Sequence, residues 1–261
     1  VNRIAMHFVF NNQTVAVNVA DRTALTKTLK RRFGRSEGFA LATVNLDHLV
    51  KLSENTAFLT AYRAQDFVVA DGRPIVWLSR LAGRPVELMP GSDLVVPLCA
   101  LAAEAGVKVA FVGSTASVLT QARAELMQRV RGLEVAYTHA PSRNFDPEGE
   151  EARQILAELA EHDIGLCFIA LGAPKQEQFA QLGRQLAPAV GFASIGAGLD
   201  FVAGAQTRAP RWVRGLAMEW LWRMLSNPMR LLPRYAKCFA ILPRQILQAL
   251  RLRLRAGPAA D

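Results

Sequence analysis

The chain has 261 residues, 51% of them apolar, and a formal charge of +9. It is too apolar for a disordered polypeptide and long enough for one large domain, or for one domain with an appendage. The longest uncharged run, 185–199, is too short and glycine-rich to span a bilayer. Cys99, Cys167 and Cys238 lack zinc or redox spacing and read as small buried hydrophobes in a reducing compartment.

In chain order, VNRIAMHFVF lacks the long apolar region and cleavage site of a secretory leader, and with QTVAVNV it predicts a small hairpin. GFALATVN (38–45) reads as a strand and 46–65 as one helix. DFVVA (66–70) is a strand that ends at Asp71-Gly72, before a helix at 74–82. Helices are expected at 91–106, 115–130, 147–162 and 175–186, and strands at 107–113, 133–139, 163–171 and 189–196. Continuous apolar strands that alternate with helices predict an α/β fold: a Rossmann-like, mostly parallel sheet with helices on both faces.

Ligands of such sheets sit beyond the carboxyl ends of the strands. Those ends carry Thr43-Val44-Asn45, Asp71-Gly72-Arg73, Gly113-Ser114-Thr115, Gly172 to Glu177, and Gly196-Ala197-Gly198-Leu199-Asp200. Asp71 suits either a helix start or a catalytic carboxylate, and Thr43 and Asn45 either cap the next helix or bind sugar hydroxyls. Gly113-Ser114 resembles a phosphate-binding turn, and the glycines at 196 and 198 would let backbone approach a ligand. Pro174 and Lys175 open a helix whose free N–H groups can face an anion, and Gln176 can both donate to and accept from a hydroxyl. Glu177 suits a helix start whatever the function. No G-x-G-x-x-G follows the first strand, which argues against an NAD-dependent oxidoreductase. No Asp-x-Asp occurs, the histidines are scattered, and the acids at 146–151 read as a solvated helix start, so a metal-independent site without cofactor is expected.

The charge is concentrated at the end. Residues 208–255 hold ten Arg, one Lys and only Glu219 as an acid, so this tail carries all the excess positive charge. It points to an anionic partner. Trp212, Val213, Leu216, Ala217, Trp220, Leu221 and Met224 form one helical face, and Pro228 and Pro233 are expected to break the chain into short helices. Further on, Ile246, Leu247, Leu250 and Leu254 oppose Arg244, Arg251 and Arg255, with Leu252 on the wrong face. A docking helix with solvated arginines and an interfacial helix on anionic lipid both fit. A nucleic-acid-binding tail fits less well, because Leu and Trp are interleaved at amphipathic spacing. The expected boundaries are 1–205 for an α/β catalytic domain and 206–261 for a basic amphipathic helical membrane-binding appendage.

TVNLDHL, ADG, PGSDL, LGAPKQE, GAGLDFVAG, RAP and EWLWRMLSNPMRLLPRY occur in this order. Over residues 4–235 the chain resembles the WecG/TagA/CpsF glycosyltransferases, glycosyltransferase family 26. The resemblance implies inverting transfer from a UDP-sugar (N-acetylmannosamine, its uronic acid or glucose) to a polyprenyl-diphosphate-linked saccharide, in bacterial cell-surface polysaccharide synthesis. It implies a cytoplasmic enzyme, peripheral on the inner face of the plasma membrane, and leaves a homo-oligomer open. Asp71 matches the family's proposed general base. Thr43, Asn45 and Gln176 match pocket residues, and Arg214, Arg223, Arg230 and Arg234 match candidates for holding diphosphate. Two departures stand out: Leu88 replaces an arginine common in the family, and Arg73-Pro74 follows Asp-Gly where small residues are usual.

Overall fold

The computed structural model describes residues 5–206 and 228–255, apart from the side chains of Pro228 and Arg230. The expected hairpin is formed by β1 (Met6–Phe10) and β2 (Gln13–Val17), antiparallel. Asn11 and Asn12 turn it with φ of 47° and 61°, a left-handed pair that asparagine tolerates and that matches strand twist. Next comes a helix to which the sequence reading assigned nothing, α1 (Arg22–Phe33). Asp21 caps it by accepting the Ala24 N–H, and Leu25, Leu29 and Phe33 form its buried stripe.

The alternating part follows as β3 (Phe39–Val44), α2 (Leu46–Glu54), α3 (Thr56–Arg63), β4 (Phe67–Ala70), α4 (Arg73–Leu81) and α5 (Gly91–Glu104). It continues with β5 (Lys108–Gly113), α6 (Ala116–Arg129), β6 (Val135–His139), α7 (Glu150–Glu161), β7 (Ile164–Ala170), α8 (Lys175–Leu186), β8 (Gly191–Ser194) and α9 (Gly198–Val202). The single helix expected over 46–65 is two. Asn55 ends α2, and its side chain accepts the Phe58 N–H at 2.9 Å to start α3.

The six-stranded sheet has the order β4-β3-β8-β7-β5-β6, with every pair parallel. Alternate strand residues point to opposite faces. Phe39, Leu41, Val69, Phe111 and Phe168 pack with α1, α5 and α6. On the other face, Ala40, Val112, Cys167 and Phe192 meet α7 and α8, while Ala42, Val44, Val68 and Ala70 meet the hairpin, α2, α3 and α4. All three cysteines are free and buried, as expected.

The end of the chain differs from expectation. Residues Pro228–Arg255 form one continuous helix, α10, that runs through Pro233 and Pro243 instead of breaking. Both prolines lie on its exposed side, where a carbonyl left without its helical partner can meet water. The helix packs on α2, α4 and β1 through Cys238, Gln245, Ala249 and Leu252. Leu252, on the wrong face by sequence pattern, is therefore a docking residue, whereas Ile246, Leu247, Leu250 and Leu254 are exposed. The Gln248 side chain also accepts the Val9 N–H at 3.3 Å and donates to its carbonyl at 3.0 Å, which occupies backbone groups that β1 would otherwise leave bare.

This seating predicts unequal costs for two neighbouring leucines. Leu252 is 8% exposed and Leu254 82%. Leu252→Ala should cost about 2–4 kcal/mol in urea unfolding of the full chain, and Leu254→Ala no more than about 0.5 kcal/mol. Equal costs would contradict the docked face.

Candidate active site

β3 and β4 are neighbours with Val44 opposite Ala70, so the residues that follow them emerge side by side. The Asn45 side chain donates to Asp71 Oδ2 at 3.2 Å, while its oxygen accepts the His48 N–H at 3.1 Å and caps α2. One amide thus caps α2 and contacts Asp71. The Asp71 N–H donates to the Val44 carbonyl at 2.8 Å, which extends the strand pairing to the carboxylate. Gly72, at φ 103°, then turns the chain into α4, which opens with Arg73-Pro74. Leu88 lies beside Ala70 in a short parallel bridge, so the apolar replacement borders the Asp71 exit.

Further along the same edge, Gly113 leaves β5 at φ 119°, where a Cβ would come within 2.4 Å of the Ala170 carbonyl oxygen. No larger residue fits that approach. Ser114 follows in the left-handed region, with φ 53°, and its hydroxyl donates to Asp200 Oδ1 at 3.2 Å. Thr115 caps α6. Gln176 is buried: its oxygen accepts the Gly196 N–H at 3.0 Å and its nitrogen donates to Glu177 Oε1 at 2.8 Å. It therefore ties the exit of β7 to the exit of β8. Lys175 Nζ donates to the Phe145 carbonyl at 2.7 Å. Gly198 lies against Ile195 and Val95, and α9 after it has only five residues.

The contacts thus link the predicted residues in three pairs: Asn45 with Asp71, Ser114 with Asp200, and Gln176 with Gly196. Thr43 is buried, and its carbonyl accepts from the Tyr62 hydroxyl and from His48 Nδ1, the latter at 2.7 Å. Arg214 and Arg223 lie outside the described residues, and Arg230 stands on α10. Arg234 Nε is 2.8 Å from Asp47 Oδ1.

Under the polar edge lies a buried layer that sequence reasoning largely missed. Burial pushes His48 down to about 4, so its ring is neutral, and its Nδ1 carries the proton given to the Thr43 carbonyl. Burial, then the charges of Glu177 and Asp71, push the Tyr62 hydroxyl well above its ordinary value. Burial also raises Glu177 to about 7. His48 could have been found from its place three residues after Asn45, the spacing of a capped first turn. Tyr62, at the end of α3, carried no such signal.

His48 and Glu177 give opposite pH slopes. Between about 6.5 and about 4 the unfolded chain binds a proton at His48 that the folded chain refuses, so this residue destabilises the fold as pH falls. Between 4.5 and about 7 the folded chain holds a proton on Glu177 that the unfolded chain releases, so this residue destabilises the fold as pH rises. Each slope is at most about 1.4 kcal/mol per pH unit. Glu177→Gln removes only the second, so its stability relative to wild type should increase from pH 5 to pH 7.5 in denaturant titrations. A difference independent of pH would show that Glu177 ionises normally.

With this geometry in place, two comparisons identify the chain's relatives. The model of the Glycosyl transferase WecG/TagA/CpsF family matches residues 10–257. An N-acetylglucosaminyldiphosphoundecaprenol N-acetyl-beta-D-mannosaminyltransferase of Bacillus spizizenii strain W23 is 27% identical over 198 residues, which cover 75% of this chain and 74% of the relative. A match along nearly the whole sequence makes the chain a member of the WecG/TagA/CpsF family and a glycosyltransferase.

Proposed function

We propose that the protein transfers a sugar from a UDP-sugar to a polyprenyl-diphosphate-linked saccharide, with inversion and without a metal, and that Asp71 is the general base. The observation that carries this reading is the Asp71 carboxylate at the exit of β4, held by Asn45 at 3.2 Å on the edge where the glycine turns of β5 and β8 also end. The Bacillus relative, named as a transferase acting on an undecaprenyl-diphosphate-linked sugar, supports the class of acceptor. Family membership favours this reading over the oxidoreductase and nucleic-acid ones.

Asp71 takes the proton of the acceptor hydroxyl while that oxygen bonds to the donor's anomeric carbon. The bond from that carbon to the diphosphate breaks, and UDP leaves with the electron pair. The negative charge developing on the diphosphate needs fixed donors. The first turn of α6, behind Gly113-Ser114, can supply backbone N–H groups, and tail arginines can supply cationic ones. The uses of Gln176 and Lys175 within the protein suit them to holding the strand exits in register.

No described helix is long and apolar enough to cross a membrane. The outward side of α10 nevertheless carries Met229, Leu232, Phe239, Leu247 and Leu254 beside exposed Arg244, Arg251, Arg253 and Arg255. That arrangement supports an interfacial helix on an anionic bilayer, which would bring the acceptor's lipid anchor near the site.

Two outcomes follow. Asp71→Asn should fold and bind UDP normally, with transfer reduced about 10²–10⁴-fold; near-normal turnover would remove Asp71 from the role. Leu247→Asp with Leu254→Asp, both on the outward side, should leave unfolding unchanged and reduce co-sedimentation with phosphatidylglycerol vesicles. Wild-type binding by that double variant would refute the membrane role of α10.

A further inference from the structure

Helix α2 is held from three sides. Its cap, Asn45, touches Asp71. Near its start, Asp47 lies 2.8 Å from Arg234 of α10 and 3.0 Å from Lys51, one turn further on. Lys51 Nζ in turn donates to the Ala173 carbonyl at 3.2 Å, in the turn that leads into α8 and Gln176. Lys237 of α10 pairs with Glu54 at the other end of α2, but both of those side chains are well exposed.

Asp47 differs from that outer pair because its side chain is only 12% exposed. Burial acts to raise its carboxyl, but the Arg234 guanidinium and the Lys51 ammonium outweigh burial and hold it below its ordinary value. A largely buried carboxylate depends strongly on its cations, and loss of either one leaves a charge without adequate compensation. Lys51 is shared between Asp47 and the Ala173 carbonyl. Without Arg234, the undercompensated Asp47 would turn toward water and no longer hold Lys51 in place, and the Ala173 carbonyl would lose its donor.

We infer that Asp47 is a positioning residue for transfer: by sharing its charge between Arg234 and Lys51, it makes the seating of α10 and the ordering of the Ala173–Gln176 turn one coupled equilibrium. The coupling is reciprocal, so whatever orders the turn also tightens α10. Asp47 does not act on substrate; it acts through Lys51 and the turn. The kinetic part of the inference rests on the transferase reading above, but its structural part does not.

The test is hydrogen exchange on the full chain, read by mass spectrometry in peptides covering 171–179 and 228–255. Arg234→Gln and Asp47→Asn should each speed exchange in both peptides by about tenfold, a size common for charges in one network. Their combination should be no faster than either alone, and Arg234→Lys should restore most of the protection. Lys51→Met keeps the Arg234 pair but should loosen 171–179 and, because the coupling is reciprocal, also speed exchange in 228–255. With a transferable donor, Asp47→Asn should lower kcat while leaving the UDP dissociation constant unchanged. If Arg234→Gln frees α10 without affecting the turn, or if the two substitutions add independently, the inference is overturned. If Asp47→Asn fails to fold, Arg234→Gln with its lysine control decides. Absence of transfer in the wild type would count against the transferase reading alone, since exchange needs no substrate.

Discussion

Parallel pairing throughout the main sheet is the constraint on which the rest depends. Parallel neighbours cannot be joined by a tight turn, so each link must cross a face of the sheet, and here the crossings are helical. Both faces are consequently covered, and strands such as β3 are buried from end to end. The same constraint places all six carboxyl ends on one edge. Turns remote in sequence therefore converge without any pairing motif of their own. Asn45–Asp71 and Gln176–Gly196 each bridge the exits of adjacent strands, and Ser114–Asp200 reaches across the exit of β7.

The edge is stiffened from beneath by a polar layer that is unusual for a protein interior. The Thr43 carbonyl takes two donors, Tyr62 and His48, the latter a ring that burial keeps neutral. Such a layer is costly unless its members are paired. Among the described residues, Glu177 Oε2 and Ser194 Oγ are buried without a hydrogen-bond partner in the protein. The interior below the site therefore retains unused hydrogen-bonding capacity, consistent with the raised affinity of Glu177 for a proton.

The parts of this architecture legible in sequence were those set by local patterns. Buried strands showed as apolar runs, glycine marked four of the six exits, and the hairpin showed as two short apolar stretches around Asn-Asn. The α1 helix carried a readable signal, Asp21 followed by Leu25, Leu29 and Phe33, but that apolar stripe is narrow among threonines, lysines and arginines. Asn55 looked like a tolerated helix residue because the apolar periodicity continues past it, and its capping bond exists only in three dimensions. The face of α10 could not be read from periodicity because the helix has two apolar sides. The richer side faces outward, while the docked side relies on Ala249, Gln245 and Leu252, whose burial is decided by α2, α4 and β1. The candidate residues at the strand exits were legible as positions on an edge. Their pairing was not, since one amide performing two tasks leaves no trace in a string of letters.

The bond between Gln248 and Val9 joins residues from opposite ends of the polypeptide. Its consequence concerns heredity more than chemistry. A recombination event, or an engineer, that exchanges the terminal helix between relatives also inherits responsibility for the first hairpin. The two ends have to travel together, so this fold is less modular than its division into a body and a tail suggests.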